Sequence, residues 1–191
     1  MGKNSRFDKM VRGENYEKKL ETKLNDVSWK AKYDLMKAGN ESYSDICKKR
    51  ETARETKAKA VENVDVIDKK LVALLSKISK AILIEIDKND LKLNEFFIQG
   101  NVTNIISDTV DAQIVSVKHM IKGFESNQNY EFSSKYYNEL KDTLLKLEDA
   151  YKTLVAERDK EAAIVKETQK ADDNYDALLR KIEHFIENEE K

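Results

Sequence analysis

YNELKDTLLKLEDAYKTLVAERDKEAAIVKETQKADDNYDALLRKIEHFI, residues 137–186, decides the fold. Apolar side chains recur in it at alternating steps of three and four: Tyr137, Leu140, Leu144, Leu147, Tyr151 and Leu154, then Val165, Tyr175, Leu179, Ile182 and Ile186. Charged residues fill the intervals, and neither Gly nor Pro interrupts them. This pattern predicts one long helix with a narrow seam for a partner helix, capped by Ser133 or Ser134 and running to about residue 190. The seam is poor between Leu154 and Tyr175, where Arg158, Glu161, Thr168 and Asp172 take its positions. Asp172-Asp173-Asn174 could cap a fresh helix there, but without Gly or Pro the helix is expected to continue.

The rest of the chain has the same character. Its 191 residues contain no Pro and only five Gly, and 37% are charged, with 35 basic and 36 acidic side chains. Missing proline permits uninterrupted helices, since one Pro costs about 3 kcal/mol in a helix interior. So few turn residues exclude all-β and Rossmann-type folds. A first helix is expected over residues 4–38, with Leu20, Leu24, Val27, Ala31, Leu35 and Ala38 on one side. Gly39-Asn40 reads as its stop. A second helix, residues 41–87, carries Ile46, Ala53, Ala60, Ile67, Leu74 and Ala81 seven apart. Its companion row begins with Tyr43, Arg50 and Lys57 and improves to Val64, Leu71 and Ile78. Residues 88–102 read as a short helix or apolar crossover in which Phe96, Phe97 and Ile98 need cover. A third helix is expected over residues 103–124, ended by Gly123 and the polar run after it.

The fold class is therefore all-α: an elongated antiparallel helical bundle or coiled coil of about four helices, two of them very long. The 191 residues form one helical domain, with an apolar head near residues 61–155 and arms at 1–60 and 156–191. Residues 1–60 hold 16 basic and 10 acidic side chains, net +6, and residues 156–191 hold 7 and 11, net −4. Arms of opposite sign are expected to pair, with the pairing loosened by salt.

Enzymatic chemistry is largely excluded. His119 and His184 stand alone, outside any metal-binding spacing. Cys47 is the single cysteine, so there is no disulfide framework and no thiolate zinc cluster. No glycine-rich phosphate loop and no nucleophile elbow occur. Asp172-Asp173-Asn174-Tyr175-Asp176 matches a DDxxD diphosphate-magnesium motif, but it lacks a second acidic motif, and helix-surface charge explains it. No catalytic residue, metal ligand or cofactor is assigned. With no apolar run of transmembrane length and no signal-peptide core, a cytoplasmic location is expected.

Two basic clusters are candidates for anionic surfaces. Lys3, Arg6, Lys9 and Arg12 alternate with Phe7, Met10 and Val11 as in a short membrane-surface helix. Lys48, Lys49, Arg50, Arg54, Lys57 and Lys59 form the second, diluted by Glu51 and Glu55. A net charge of −1 gives no support for sequence-specific nucleic-acid reading. The expected function is that of a non-enzymatic structural or adaptor protein. Its helical faces would bind protein partners, including a second copy, because the seams exceed what the head can cover. The alternative is a peripheral membrane-binding module using both basic clusters, and the third reading is a small all-α metal-dependent enzyme at the Asp172 to Asp176 cluster. In its long helices and basic first segment the chain resembles the dimers of the BAR type, by architecture alone.

Overall fold

The computed structural model describes residues 5–86, 92–98, 102–107 and 109–190, and every regular element among them is helical. Helix α1 spans Arg6–Glu21, α2 Val27–Ile86, α3 Val102–Ser107, α4 Val110–Ser126 and α5 Glu131–Glu189, with a single 3₁₀ turn at Leu93–Glu95. Among the described residues no helix is long and apolar enough to cross a membrane.

Contacts divide the chain into two compact units, one of residues 1–56 and 158–191 and one of residues 57–157. Helices α2 and α5 contribute a segment to each.

In the first unit, α1 begins with a reciprocal cap. The Ser5 hydroxyl accepts from the Asp8 N–H at 3.1 Å, and the Asp8 carboxylate accepts from the Ser5 N–H at 2.9 Å. The chain then breaks earlier than its sequence suggests. Asp26 caps α2, its Oδ1 accepting from the N–H of Ser28 at 2.7 Å and of Trp29 at 3.3 Å. The first helix therefore ends at Glu21 rather than residue 38, and Gly39-Asn40 lies inside α2. Gly39 is there for space: a Cβ on it would meet the end of the Leu178 side chain at well under 3.0 Å. Asn40 donates from Nδ2 to Glu17 at 2.6 Å and accepts from the Tyr175 hydroxyl.

The core row of this unit also differs from the expected one. Leu20, Trp29, Met36 and Tyr43 are buried against Tyr175, Leu179, Ile182 and Ile186. Trp29, Met36 and Tyr43 are seven apart, so they return to one face of α2. The sequence stripe of Leu24, Val27, Ala31, Leu35 and Ala38 is solvent-exposed instead. Larger aromatic and Met side chains win the core because they remove more apolar surface from water than Val and Ala.

In the second unit α2 supplies Val64, Leu71, Leu74, Leu75, Ile78 and Ile82 to a core completed by Leu140, Leu144, Leu147 and Leu154 of α5. Phe96, Phe124 and Phe132 meet with centroids 5.5–5.8 Å apart, which gives Phe96 the cover it needs. Phe97 is buried beside them, and Ile98 is half exposed. The helix expected over residues 103–124 is two, α3 and α4, with Thr109 in extended conformation at the start of α4. Gly123 does not end α4, which runs on to Ser126. A Cβ on Gly123 would press into the backbone carbonyl of Glu95, so the glycine lets the 3₁₀ turn lie against the helix. Helix α5 starts at Glu131, so Ser133 and Ser134 are not its cap; Ser133 is buried. It continues without a break through residues 168–173. Thr168 is fully buried, and its hydroxyl donates to the Ile164 carbonyl at 2.7 Å, so this polar seam position is satisfied within its own helix.

Candidate interaction surface

Helix α1 presents one side to α5 and one to α2. Arg6, Lys9, Arg12, Tyr16 and Lys19 recur at steps of three and four, so they line one face of α1. Each meets a carboxylate of α5 or, for Lys19, that of Glu190 just past its end. Arg6 donates to Asp172 from Nε, at 3.1 and 3.2 Å to the two oxygens, and from Nη2 at 2.6 Å. Asp172 also accepts from the Tyr43 hydroxyl of α2. Lys9 pairs with Asp176 at 2.6 Å and lies 3.9 Å from Asp172. Arg12 donates to Glu183 at 2.5 Å, and Tyr16 donates to the same carboxylate at 2.8 Å. Lys19 closes the ladder on Glu190 at 2.8 Å.

The rungs differ in strength. Arg6 forms the planar two-point contact that suits a carboxylate, and Asp172 is half-buried beneath it. Burial pushes the Asp172 carboxyl up, but the hydrogen bonds from Arg6 and Tyr43 and the charges of Arg6 and Lys9 outweigh it and hold the group below the usual range. Hydrogen bonds from Tyr16 and Arg12 lower Glu183 in the same way. The Tyr43 hydroxyl is pushed up, first by burial and then by its bond to Asp172. Lys19 and Glu190 are exposed, and a pair of that kind contributes well under about 1 kcal/mol.

Apolar contacts hold the three segments behind this ladder. Tyr43 stacks on Tyr175 with centroids 4.1 Å apart, and Trp29 meets Phe185 edge-on at 5.3 Å. Lys23 sits 4.0 Å from the Trp29 ring centroid. Gly13 lets α1 come this close: a Cβ there would collide with the Tyr175 hydroxyl and Asn40 Oδ1. Beside it an open cleft of about 400 Å³ between α1 and α2 carries Glu14, Glu17, Glu41 and Asp45.

These contacts locate the residues singled out in the sequence. Lys3 lies outside the described residues. Arg6, Lys9 and Arg12 are brought together on α5 rather than left facing outward. Lys48 is exposed and 4.0 Å from Asp45, Lys49 and Arg54 are exposed, and Arg50 is half-buried. Lys57, half-buried, and Lys59, exposed, belong to the second unit. The DDxxD stretch is engaged by α1: Asp172 and Asp176 receive Arg6 and Lys9. Among the described residues no three His, Cys, Asp or Glu side chains converge as a metal site. The Cys47 thiol is half-buried, and burial pushes its pKa up, away from the thiolate form a nucleophile needs. His119 has Nε2 3.0 Å from the Asn94 carbonyl oxygen, a local structural contact.

The sequence did not disclose that α2 has two apolar rows in the first unit. One, Trp29, Met36 and Tyr43, is core; the other, Val27, Ala31, Leu35 and Ala38, faces outward, with Val27 85% and Leu35 47% exposed. The seven-residue recurrence of bulky side chains at 29, 36 and 43 was the available signal. No family model matches the chain, and no curated protein and no solved structure matches it either.

Proposed function

We propose that this chain is a non-enzymatic structural or adaptor protein, a helical scaffold that binds other proteins through outward helix faces. The observation that carries this reading is the second apolar row of α2. A helix already committed on one side to Tyr175, Leu179 and Ile182 keeps another aligned apolar face in solvent. Single exposed apolar residues are ordinary, but a row aligned along one helix face is the form of a partner seam.

The same reading takes the first unit as an antiparallel coiled-coil pair of α2 and α5, with α1 laid on it. Support comes from register: Trp29 meets Phe185 and Tyr43 meets Tyr175, so positions fall along α5 as they rise along α2. Along α1 they rise together with those of α5, from Arg6–Asp172 to Lys19–Glu190. Nearly every cation of α1 is thereby spent inside the chain, which favours a protein-binding role over a membrane one.

The test is affinity capture from the cells that make the protein, comparing the native chain with a Val27→Lys, Leu35→Lys variant by quantitative mass spectrometry. At least one other protein should be enriched on the native chain and lost on the variant, with helicity unchanged. A capture profile with no partner sensitive to this face defeats the reading.

A further inference from the structure

The exposed row on α2 has a symmetry that names its occupant. Val27 lies four residues before Ala31 and Leu35 four residues after it, so a two-fold axis at Ala31 would set apolar Val27 opposite apolar Leu35. Exposed Ala38 lies seven residues after Ala31 on the same face of α2. We infer that a second copy of this chain covers the face, antiparallel to the first, with the two-fold axis at Ala31. The inference deepens the scaffold reading above and rests on it.

Three observations favour a second copy over an unrelated helix. A two-fold axis across antiparallel helices sets Val27 of each copy against Leu35 of the other and Ala31 against its own counterpart, so large faces large-to-medium and small faces small. Ala31 and Ala38 let the axes approach to about 8 Å, the near end of helix packing distances. Charge supplies the third. Lys30 and Asp34 lie along one flank of the row, both exposed, and among the described residues neither has an ion-pair partner in its own chain. In a two-fold antiparallel pair the same flanks meet, and Lys30 of one copy then comes beside Asp34 of the other. A parallel pair would instead set that flank against the other one, where Lys32 stands over the Phe185 ring.

The row also sets the strength. Past Ala38 its line continues into exposed Ser42, so the apolar face covers only about three turns. That places the contact below the roughly 1,200 Å² of a stable standard interface. The dimer is reversible, with a dissociation constant in the micromolar range or weaker.

Sedimentation equilibrium of the full chain, from low to several hundred micromolar, tests this. A concentration-dependent monomer–dimer mass is expected. Val27→Lys and Leu35→Lys should each raise the dissociation constant at least about tenfold while circular dichroism and Trp29 emission stay unchanged. Lys30→Glu should weaken the dimer, and Lys30→Glu with Asp34→Lys should restore it. A monomer at every concentration overturns the inference, as does a dimer indifferent to Val27→Lys and Leu35→Lys. Failure of the double charge reversal overturns the antiparallel register. A monomer that still captures other proteins through this face overturns the dimer but spares the scaffold reading; loss of both ends both.

Discussion

Gly13→Ala is a sharp probe of how α1 is seated, because two effects of opposite sign compete. In an isolated helix the change is favourable by about 0.8–1.0 kcal/mol, the propensity difference between Gly and Ala. In the folded chain the new methyl would lie well under 3.0 Å from the Tyr175 hydroxyl and from Asn40 Oδ1. Tyr175 cannot swing away, since it is buried and stacked on Tyr43. Overpacking of this kind costs about 1–3 kcal/mol. Displacing the hydroxyl also breaks its bond to Asn40, a further ~1 kcal/mol. Subtracting the propensity gain leaves a net loss of about 1–3 kcal/mol. Urea unfolding followed by Trp29 fluorescence reads it locally, because Trp29 is the only tryptophan and lies in the core of the first unit. Adding Tyr175→Phe should recover part of the loss, since the colliding oxygen is gone while Cζ remains 3.0 Å from the new methyl. A Gly13→Ala midpoint that rises by the propensity amount would refute the close seating of α1.

Other outcomes follow from the same contacts. Asp172 and Glu183 have lowered pKa values, so their stabilisation is complete above the ordinary carboxylate range and is lost as pH falls through their own lower values. Acid should therefore raise hydrogen exchange in α1, and Asp172→Asn should bring that opening to higher pH. At the alkaline end Tyr175 is pushed up to about 12, mainly by burial and then by Glu14 and Glu17. Its contribution is intact below pH ~10 and lost as pH rises towards that value, so Tyr175→Phe should flatten the Trp29 titration there. Gly123→Ala meets the Glu95 carbonyl, which is backbone and cannot rotate aside. It should destabilise the second unit by about 1–3 kcal/mol, read as a lower thermal midpoint by circular dichroism. Co-sedimentation with anionic vesicles should leave the chain in the supernatant; pelleting that is lost when Lys48, Lys49 and Arg50 become Glu would favour the membrane role instead.

Fold class was legible because periodicity alone specifies it. Steps of three and four over residues 137–154 and 175–186, with no Gly or Pro between them, favour one long helix over a break near Asp172, and α5 is continuous. The joints were less legible because punctuation residues serve two purposes. Gly39-Asn40 has the composition of a helix stop, yet the glycine makes room for Leu178 and the asparagine bonds Glu17 and Tyr175. The true joint at residues 22–26 uses no glycine; Asp26 supplies the acceptor, and Asp is equally common on a helix surface. That the Val27, Ala31 and Leu35 row of α2 faces outward was not legible, for a similar reason. Val27, Ala31 and Leu35 satisfy the helical period as well as Trp29, Met36 and Tyr43 do, and only packing against α5 decides between them. The charge imbalance of the two arms was plain in the composition. Which acid meets which base depends on the register of α1, which no local pattern encodes.

Disulfide scanning on a Cys47→Ser background tests the central claim most directly, that the outward face of α2 is a partner seam and that its partner is an antiparallel copy. With the axis at Ala31, a cysteine there meets its own counterpart. Cysteines at 27 in the two copies are separated by about 12 Å along the helices, beyond the reach of a disulfide. Ala31→Cys should therefore form a covalent dimer readily under mild oxidation. Val27→Cys and Leu35→Cys should fail singly and cross-link when mixed. Equal self-cross-linking at 27, 31 and 35 would contradict the antiparallel arrangement, and no cross-linking at any of them would contradict the seam itself.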